Sequence, residues 1–379
     1  MKTVEAPEHR FEEPRGDRSL LQALGDLPGR LSSALLGAGA PPVVPDEERG
    51  ALAALVTRSP RGNAYLSLEP GLAIFQHPQG VVTWAAAGRT AFAVGGVHGE
   101  RESTALLEAF RAHVVNRGFR QVLLFPVSER ERMIVEGAQF QCLAVGSEAF
   151  VSPQEFSLSG GAKADLRQML NRGRARYGLW SEEIAVTDAD GALLEVYDSW
   201  LRARSTGHRL QLLVGTLRLD EPFGRRYFVS RDASRIHAVV TLTPGWSGEG
   251  YGIDVMARAP DAPAGAMETA ITGAISQLGA EGITTLSLGA CPMYEHTSLG
   301  AEDRGALRRL LRWVYRSRIT GELFAFETLP RFKRKFGPTW QASYIAAWPS
   351  VGVRALYSGC RMWGLFGPRS LRLGLSRPG

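Results

Sequence analysis

One order of elements occurs twice along the chain, and that repetition limits the fold more than any single residue does. Residues 72–88 and 89–97 (LAIFQHPQGVVTWAAAG, RTAFAVGGV) are short β-branched and aromatic runs broken by Pro-Gln-Gly and Ala-Gly, the pattern of strands joined by turns. Leu106, Leu107, Phe110 and Val114 then recur at helical spacing, Gly118 stands where a helix-ending glycine belongs, and QVLLFPV reads as a buried strand. About 160 residues later the pattern returns. RIHAVVTLTPGW and GYGIDVMAR form a hairpin, Met267, Ala270, Ile271, Ala274, Ile275 and Leu278 share one helix face, and Gly282 precedes the strand ITTLSLGA. Strand, strand, helix, strand, used twice, predicts two similar α/β lobes with mixed sheets.

A length of 379 residues suits two such units with extensions. Residues 1–58 mix Pro, Gly and charge around one weakly amphipathic stretch (20–36) and read as an extension, partly disordered. Between the repeats, residues 156–178 become helical after a glycine pair, and a second helix is expected over about 192–203. Residues 349–379 carry five arginines and no acid among Val, Leu, Met, Trp and Phe. Such a tail either lies on an anionic membrane surface or packs along the domain.

Charge and cysteine usage narrow the class. The formal net charge of +6 matters only where cations cluster: at 163–176, at six arginines between Arg304 and Arg318, and at 331–335. A face that meets phosphate and a merely solvated basic face both look like this. Cys142, Cys291 and Cys360 are widely spaced, with no CxxC pair, which argues against a disulfide framework and a zinc site and fits a reducing cytoplasm. No apolar signal core opens the chain, and no run approaches the ~20 apolar residues of a spanning helix. The expected location is cytoplasmic, with peripheral membrane contact left open.

Six pieces in fixed order narrow the reading further. They are NAYLSLEPGLAIF; LLFPVSERERMIVEGAQFQCLAVGSEAFV; FSLSGGAKADLRQMLNRGRARYG; YGIDVMARAPDAPAGAMETAI; LSLGACPM; and LPRFKRKFGPTWQASYIAAWP. Together, over about residues 59–348, this series resembles the C-terminal domain of phosphatidylglycerol lysyl- and alanyltransferases, the multiple peptide resistance factor (DUF2156-type) family. The resemblance implies an α/β (α+β) fold of two tandem acetyltransferase-like (GNAT) lobes, with residues 59–155 as the first and 156–348 as the second, catalytic one. It also implies an aminoacyl transferase that uses aminoacyl-tRNA as co-substrate and a phosphatidylglycerol-like lipid as acceptor. Departures are visible. Asp254 is followed by Ala257, with Arg258 one position later than the family's arginine, and Ser343 replaces the arginine usual before Tyr344. No multi-helix region precedes Asn63, so a soluble amine or hydroxyl acceptor, or a non-catalytic tRNA- or lipid-binding module, stays open beside the lipid reading.

Aminoacyl-tRNA is an activated ester, so moving its acyl group needs orientation, an oxyanion stabiliser and at most a modest base. No metal is called for, and no HExxH helix, Gly-x-Ser-x-Gly elbow or Walker loop is present. A clear Gln/Arg-x-x-Gly-x-Gly/Ala pyrophosphate loop is also missing, which makes coenzyme A the less favoured donor. Asp254, at a strand end, is the candidate for the donor's free α-amine, or simply a turn-capping acid. In RFKRKFGPTW, an extended reading puts Lys333 and Lys335 on one face, either as a phosphate clamp or as edge protection. With the resemblance, Arg167, Trp340 and Tyr344 join them as substrate contacts. Arg304, Arg308, Arg312 and Arg316 recur every four residues and form one basic helix face, a candidate tRNA contact. His296, in a loop after a strand, is the candidate general base.

Overall fold

The repeated order of elements emerges as two halves of a single sheet in a computed structural model that describes residues 46–99, 103–186, 190–203, 215–220, 222–292, 294 and 328–363, without the side chains of 46–49. The first half comprises α1 (Asp46–Thr57), a 3₁₀ turn (Ala64–Leu68), β1 (Ala73–His77), β2 (Gly80–Ala87), β3 (Thr90–His98), α2 (Thr104–Asn116), β4 (Gln121–Ser128), α3 (Glu129–Gly137) and β5 (Gln141–Val151). The second comprises α4 (Ala164–Tyr177), β6 (Trp180–Ile184), α5 (Asp190–Ala203), β7 (Arg226–Arg231), β8 (Ile236–Gly245), β9 (Gly250–Arg258), α6 (Ala266–Ala280), β10 (Thr285–Pro292), α7 (Thr328–Arg334), β11 (Thr339–Trp348) and α8 (Val353–Met362). Among the described residues no helix is long and apolar enough to cross a membrane.

The helices form where the apolar spacing predicts them. In α2, Ser103 caps the first turn by accepting from the Leu106 amide, and Leu106, Leu107, Phe110 and Val114 are buried. In α6 the six residues that share a face in the sequence are all buried, joined by Ala266 and Glu268 of the first turn, and Gly118 and Gly282, at φ of +88° and +83°, follow the two helices in the left-handed region that glycine adopts freely. β6 and β7 were not evident from the sequence: β6 reads WSEEI and is not fully buried anywhere.

Among the described residues, strand order is β1-β2-β3-β4-β11-β5-β10-β9-β8-β7-β6 in one 11-stranded sheet. The pairing crosses the boundary drawn at residue 155: β5 joins β10 of the second half, while β11, from the far end of the chain, joins β4 of the first. β5 and β11 also pair with each other, from Thr339 opposite Phe150 to Ala347 opposite Gln141, so the lobes share a continuous backbone ladder. Within the 1–58 extension, α1 is part of the fold, since Leu52, Ala53 and Val56 pack with Ala64, Tyr65 and Leu68. In the 349–379 tail, α8 packs Ala355 and Met362 against the first lobe.

Among the described residues, each lobe contains one parallel strand pair that begins in register and then parts. β3 and β4 pair only over Thr90–Ala93 with Gln121–Leu124, and β9 and β10 only over Gly250–Gly252 with Thr285–Ser287. Both first strands then carry a bulge, at Gly95–Gly96 in β3 and at Asp254 in β9. The result is two notches. In the first, a side chain at Gly95 (φ +68°) would meet Ser67 Oγ at 2.1 Å and the Ala64 carbonyl at 2.8 Å. Gly95→Ala is therefore expected to unseat the 3₁₀ turn and cost roughly 2 kcal/mol or more of unfolding free energy, read by urea titration.

Candidate functional site

The two notches differ in what fills them. In the first, the chain's own residues 61–68 occupy the gap: Arg61 lies where a side chain on Gly96 would point, and it forms a buried ion pair with Glu131 of α3. Asn63 reaches the Pro126 carbonyl on β4. Ser67 Oγ donates to the Val94 carbonyl at 3.0 Å and so accepts from His98 Nε2 at 2.6 Å. His98 Nδ1 has no hydrogen-bond partner among the described residues. Burial first, and Arg61 second, push the imidazole down to about 3. A group held neutral in the fold but protonated near 6.5 when unfolded costs nothing above that pH and destabilises progressively below it. Stability should fall on acidification from pH 6.5 to 4 by roughly 3 kcal/mol from this residue, and His98→Gln should flatten that slope in denaturant titrations at both pH values.

The second notch is lined instead by groups capable of chemistry. β10 kinks between Ser287 and Ala290, with Gly289 at φ +87°. The buried Lys333 ammonium, on α7, donates to the carbonyls of Gly289 at 2.8 Å and Ala290 at 3.1 Å, which holds the kinked strand apart from β9. Burial lowers the pKa of Lys333 and raises that of Cys291 beside it. Across from them on β5, Glu148 accepts a hydrogen bond from Ser287 Oγ, which in turn accepts from the Gly289 amide at 2.9 Å. Burial raises the Glu148 carboxyl, opposed by the Ser287 hydrogen bond and the Lys333 charge. Just past the end of β10, Trp340 lies 4.7 Å from the tilted ring of Tyr294, with the Arg334 guanidinium 5.6 Å from the same ring.

The opposite wall is the β9 bulge. Asp254 is the extra residue there, skipped between the Thr241–Val255 and Leu242–Ile253 pairs, so its side chain leaves the normal alternation. It faces Arg225 Nε at 3.8 Å, and a side chain on Gly215 would strike its carboxylate at 1.9 Å. The Arg225 guanidinium lies 4.8 Å over the Tyr65 ring, whose hydroxyl donates to the Phe223 carbonyl at 2.5 Å. Glu69 accepts from the Thr216 amide and hydroxyl at 2.9 and 2.6 Å. The segment that plugs the first notch thus also braces the Asp254 wall of the second.

The structure brings Asp254, Lys333 and Trp340 to this notch and distributes the other candidates elsewhere. Residues 328–334 are helical, not extended, so Lys333 and Lys335 do not share a face: Phe332 and Phe336 meet edge to face four residues apart at 5.6 Å, a spacing that competes with the two-residue alternation. Lys335 pairs with Glu268 in the first turn of α6 at 2.7 Å. Arg167 donates to the Leu158 and Gly160 carbonyls at 2.5 and 2.6 Å, which closes the loop leading into α4. Tyr344, on β11, packs into the first lobe, donating to Glu129 beneath the Arg132 guanidinium. His296, Arg304, Arg308, Arg312 and Arg316 fall outside the described residues. Glu148, Ser287 and Arg225 were not singled out from sequence, although a carboxylate inside the apolar run AVGSEAFV was a usable signal.

Two lobes of like element order that share one sheet, with one notch filled by the chain itself and one lined by acids and a buried lysine, define a two-lobed α/β class of protein. The family model for the phosphatidylglycerol lysyltransferase C-terminal domain matches residues 54–347, and the chain belongs to that family. A lysylphosphatidylglycerol biosynthesis bifunctional protein of Mycolicibacterium vanbaalenii is 30% identical over 232 residues, which is 58% of this chain and 20% of that protein. The phosphatidylglycerol lysyltransferase of Bacillus subtilis is 26% identical over 262 residues, 67% of this chain and 29% of the relative. The chain therefore spans less than a third of these relatives' length. Among solved structures, L-PGS from Bacillus licheniformis superimposes with a TM-score of 0.68 at 19% identity, over 86% of this chain and 98% of that one. The C-terminal (DUF2156) domain described as a lysylphosphatidylglycerol synthetase of Agrobacterium fabrum gives 0.69 at 24% identity, over 82% and 94%.

Proposed function

We propose that the chain transfers an aminoacyl group from aminoacyl-tRNA to a hydroxyl of a phosphatidylglycerol-like lipid, and that the second-lobe notch is where it does so. The observation that carries this reading is the contrast between the notches within a chain of this family: the first is packed with Arg61, Asn63 and Ser67, whereas the second presents Asp254, Glu148 and Lys333. The reaction is an exchange of esters. The acceptor hydroxyl oxygen bonds the acyl carbonyl carbon, the bond to the tRNA ribose oxygen breaks, and the acceptor's proton passes to a base and on to that ribose oxygen.

Glu148 is the group assigned the base's role, because burial makes its carboxylate a stronger base than an exposed one and Ser287 fixes its orientation. Asp254 is assigned the donor's α-ammonium, which a carboxylate re-aimed by a bulge suits. Trp340, Tyr294 and Arg334 would flank the entrance, and the arginines at 304–316 remain candidates for tRNA phosphate. Coenzyme A is the second reading for the donor. Against it, the first turn of α6 holds a buried acid, Glu268, in place of an anion-welcoming terminus.

Incubation with tRNA charged with radiolabelled amino acids and phosphatidylglycerol micelles should move label into lipid on thin-layer chromatography; label retained on tRNA at the uncatalysed rate contradicts the reading. Asp254→Asn should lower kcat/KM by about 100-fold, mainly through KM for the donor. Glu148→Gln should lower kcat by a similar factor. In the parent protein, kcat should rise with pH through a limb above the usual carboxylate range, and that limb should vanish in Glu148→Gln.

A further inference from the structure

The same sheet that aims the notch also presents a basic edge. β4 and β10 run in opposite directions, because three antiparallel steps (β4–β11, β11–β5, β5–β10) separate them. The β9–β10 notch opens at the C-terminal ends of its strands, and hence on the side of the sheet where β3, β4 and β5 begin. Along those strand beginnings lies α8. Its entry is fixed by the Val351 amide donating to Gln141 at the start of β5, and its middle by Thr90 Oγ1 donating to Ser358 Oγ at 3.2 Å, at the start of β3. Ala355, Gly359 and Met362 face inward, while Arg354, Ser358 and Arg361 fall on an adjacent stripe and Val353 is 60% exposed.

At the same end of the sheet, on the face opposite α8, the β2–β3 turn and the end of α2 enclose a shallow depression of about 370 Å³, lined by Arg89, Val115, Gly118, Phe119 and Arg120. The Arg120 amide donates to the Arg89 carbonyl at 2.9 Å, so the two side chains spring from one backbone joint, and Arg117 stands exposed beside them at the end of α2. No acid lines the depression or interrupts α8, and residues 364–379 add Arg369, Arg372 and Arg377 with Leu and Phe and again no acid.

We propose that this edge, formed by the Arg89–Arg117–Arg120 depression and α8, docks the protein on an anionic phospholipid bilayer, with the depression seating a phosphodiester headgroup. A planar guanidinium pair matches a phosphodiester, and an amphipathic helix with an exposed valine among arginines suits the headgroup boundary better than a duplex backbone, which offers nothing for the valine. Four strand spacings of ~4.8 Å separate β3 from β10, so the docked edge lies roughly 20 Å from the notch, on the side toward which the notch opens. The inference deepens the transferase reading, since its acceptor is a bilayer lipid, but the docking itself is measured without any transfer.

The test is flotation of the full chain with vesicles of phosphatidylcholine alone or with one third phosphatidylglycerol. The parent should float only with the anionic vesicles, and less as salt is raised. Arg89→Glu/Arg117→Glu/Arg120→Glu should lower the partition coefficient at least about tenfold, whereas Arg172→Glu/Arg174→Glu/Arg176→Glu, an equal charge change on the exposed side of α4, should leave it within about twofold. Circular dichroism and melting confirm that both variants are folded; if the first is not, Arg117→Gln/Arg120→Gln serves in its place, with a drop of about threefold expected. Equal flotation of both triple variants, or of the parent on both vesicle types, overturns the proposal. Loss of tRNA retention with vesicle flotation intact assigns the edge to nucleic acid and overturns it as well. Transfer to micellar lipid separates the two claims: a variant that no longer floats yet still modifies micelles supports both, and a parent that floats but transfers nothing leaves the docking edge standing while the transferase reading falls.

Discussion

A buried guanidinium holds the architecture together. Arg61 enters the space left by Gly96 in the β3 bulge and pairs with Glu131, whose carboxylate also accepts from the Ser128 amide and hydroxyl in the capping box of α3. Removing one member of such a pair leaves an uncompensated interior charge, at a cost of about 3–5 kcal/mol. Because the pair anchors one end of the residue 61–69 segment, it also fixes where Tyr65 and Glu69 meet Arg225, Phe223 and Thr216 of the other lobe. The wall that carries Asp254 therefore depends on a contact made on the far side of the molecule.

Duplication with unequal filling explains how one fold separates scaffold from chemistry. Parallel strands that part after three or four residues leave backbone groups and space without a ladder partner, and each notch must satisfy them. In the first lobe the chain answers with its own hydroxyl, amide and guanidinium. In the second it answers with one lysine, whose ammonium holds two carbonyls of β10 while leaving Glu148, Ser287 and Asp254 on the surrounding walls. An ammonium suits this role, since it carries three donors on a flexible stem and no acceptor to be left unpaired.

Much of the fold was legible in the sequence, and the limits of that legibility are physical. The stripes of α2 and α6, the glycines that follow both helices and the hairpin of β8 and β9 all follow local periodicity, which each segment displays by itself. The exchange of β5 and β11 joins residues nearly 200 positions apart, such as Phe150 and Thr339, and nothing local announces it. The 328–334 segment misled because its lysines alternate at strand spacing while Phe332 and Phe336 recur at helix spacing, and burial of the aromatic pair decided the outcome. Asp254 was visible as an acid on a strand, but its bulge was not, because the extra residue exists only relative to the partner strand. From the sequence alone Glu148 is one acid within the apolar run AVGSEAFV. Its significance comes from Ser287 and Lys333, which arrive from elsewhere in the chain.

The central claim, that the second notch receives the donor and the first is closed by the chain itself, is tested most directly by a crystal structure with a stable donor mimic, an adenosine carrying its amino acid through a 3′-amide. The account predicts density for the aminoacyl group between β9 and β10, its ammonium on Asp254 and its carbonyl near Glu148, with residues 61–68 unmoved. Density between β3 and β4, or at a surface away from both pairs of parting strands, would contradict it.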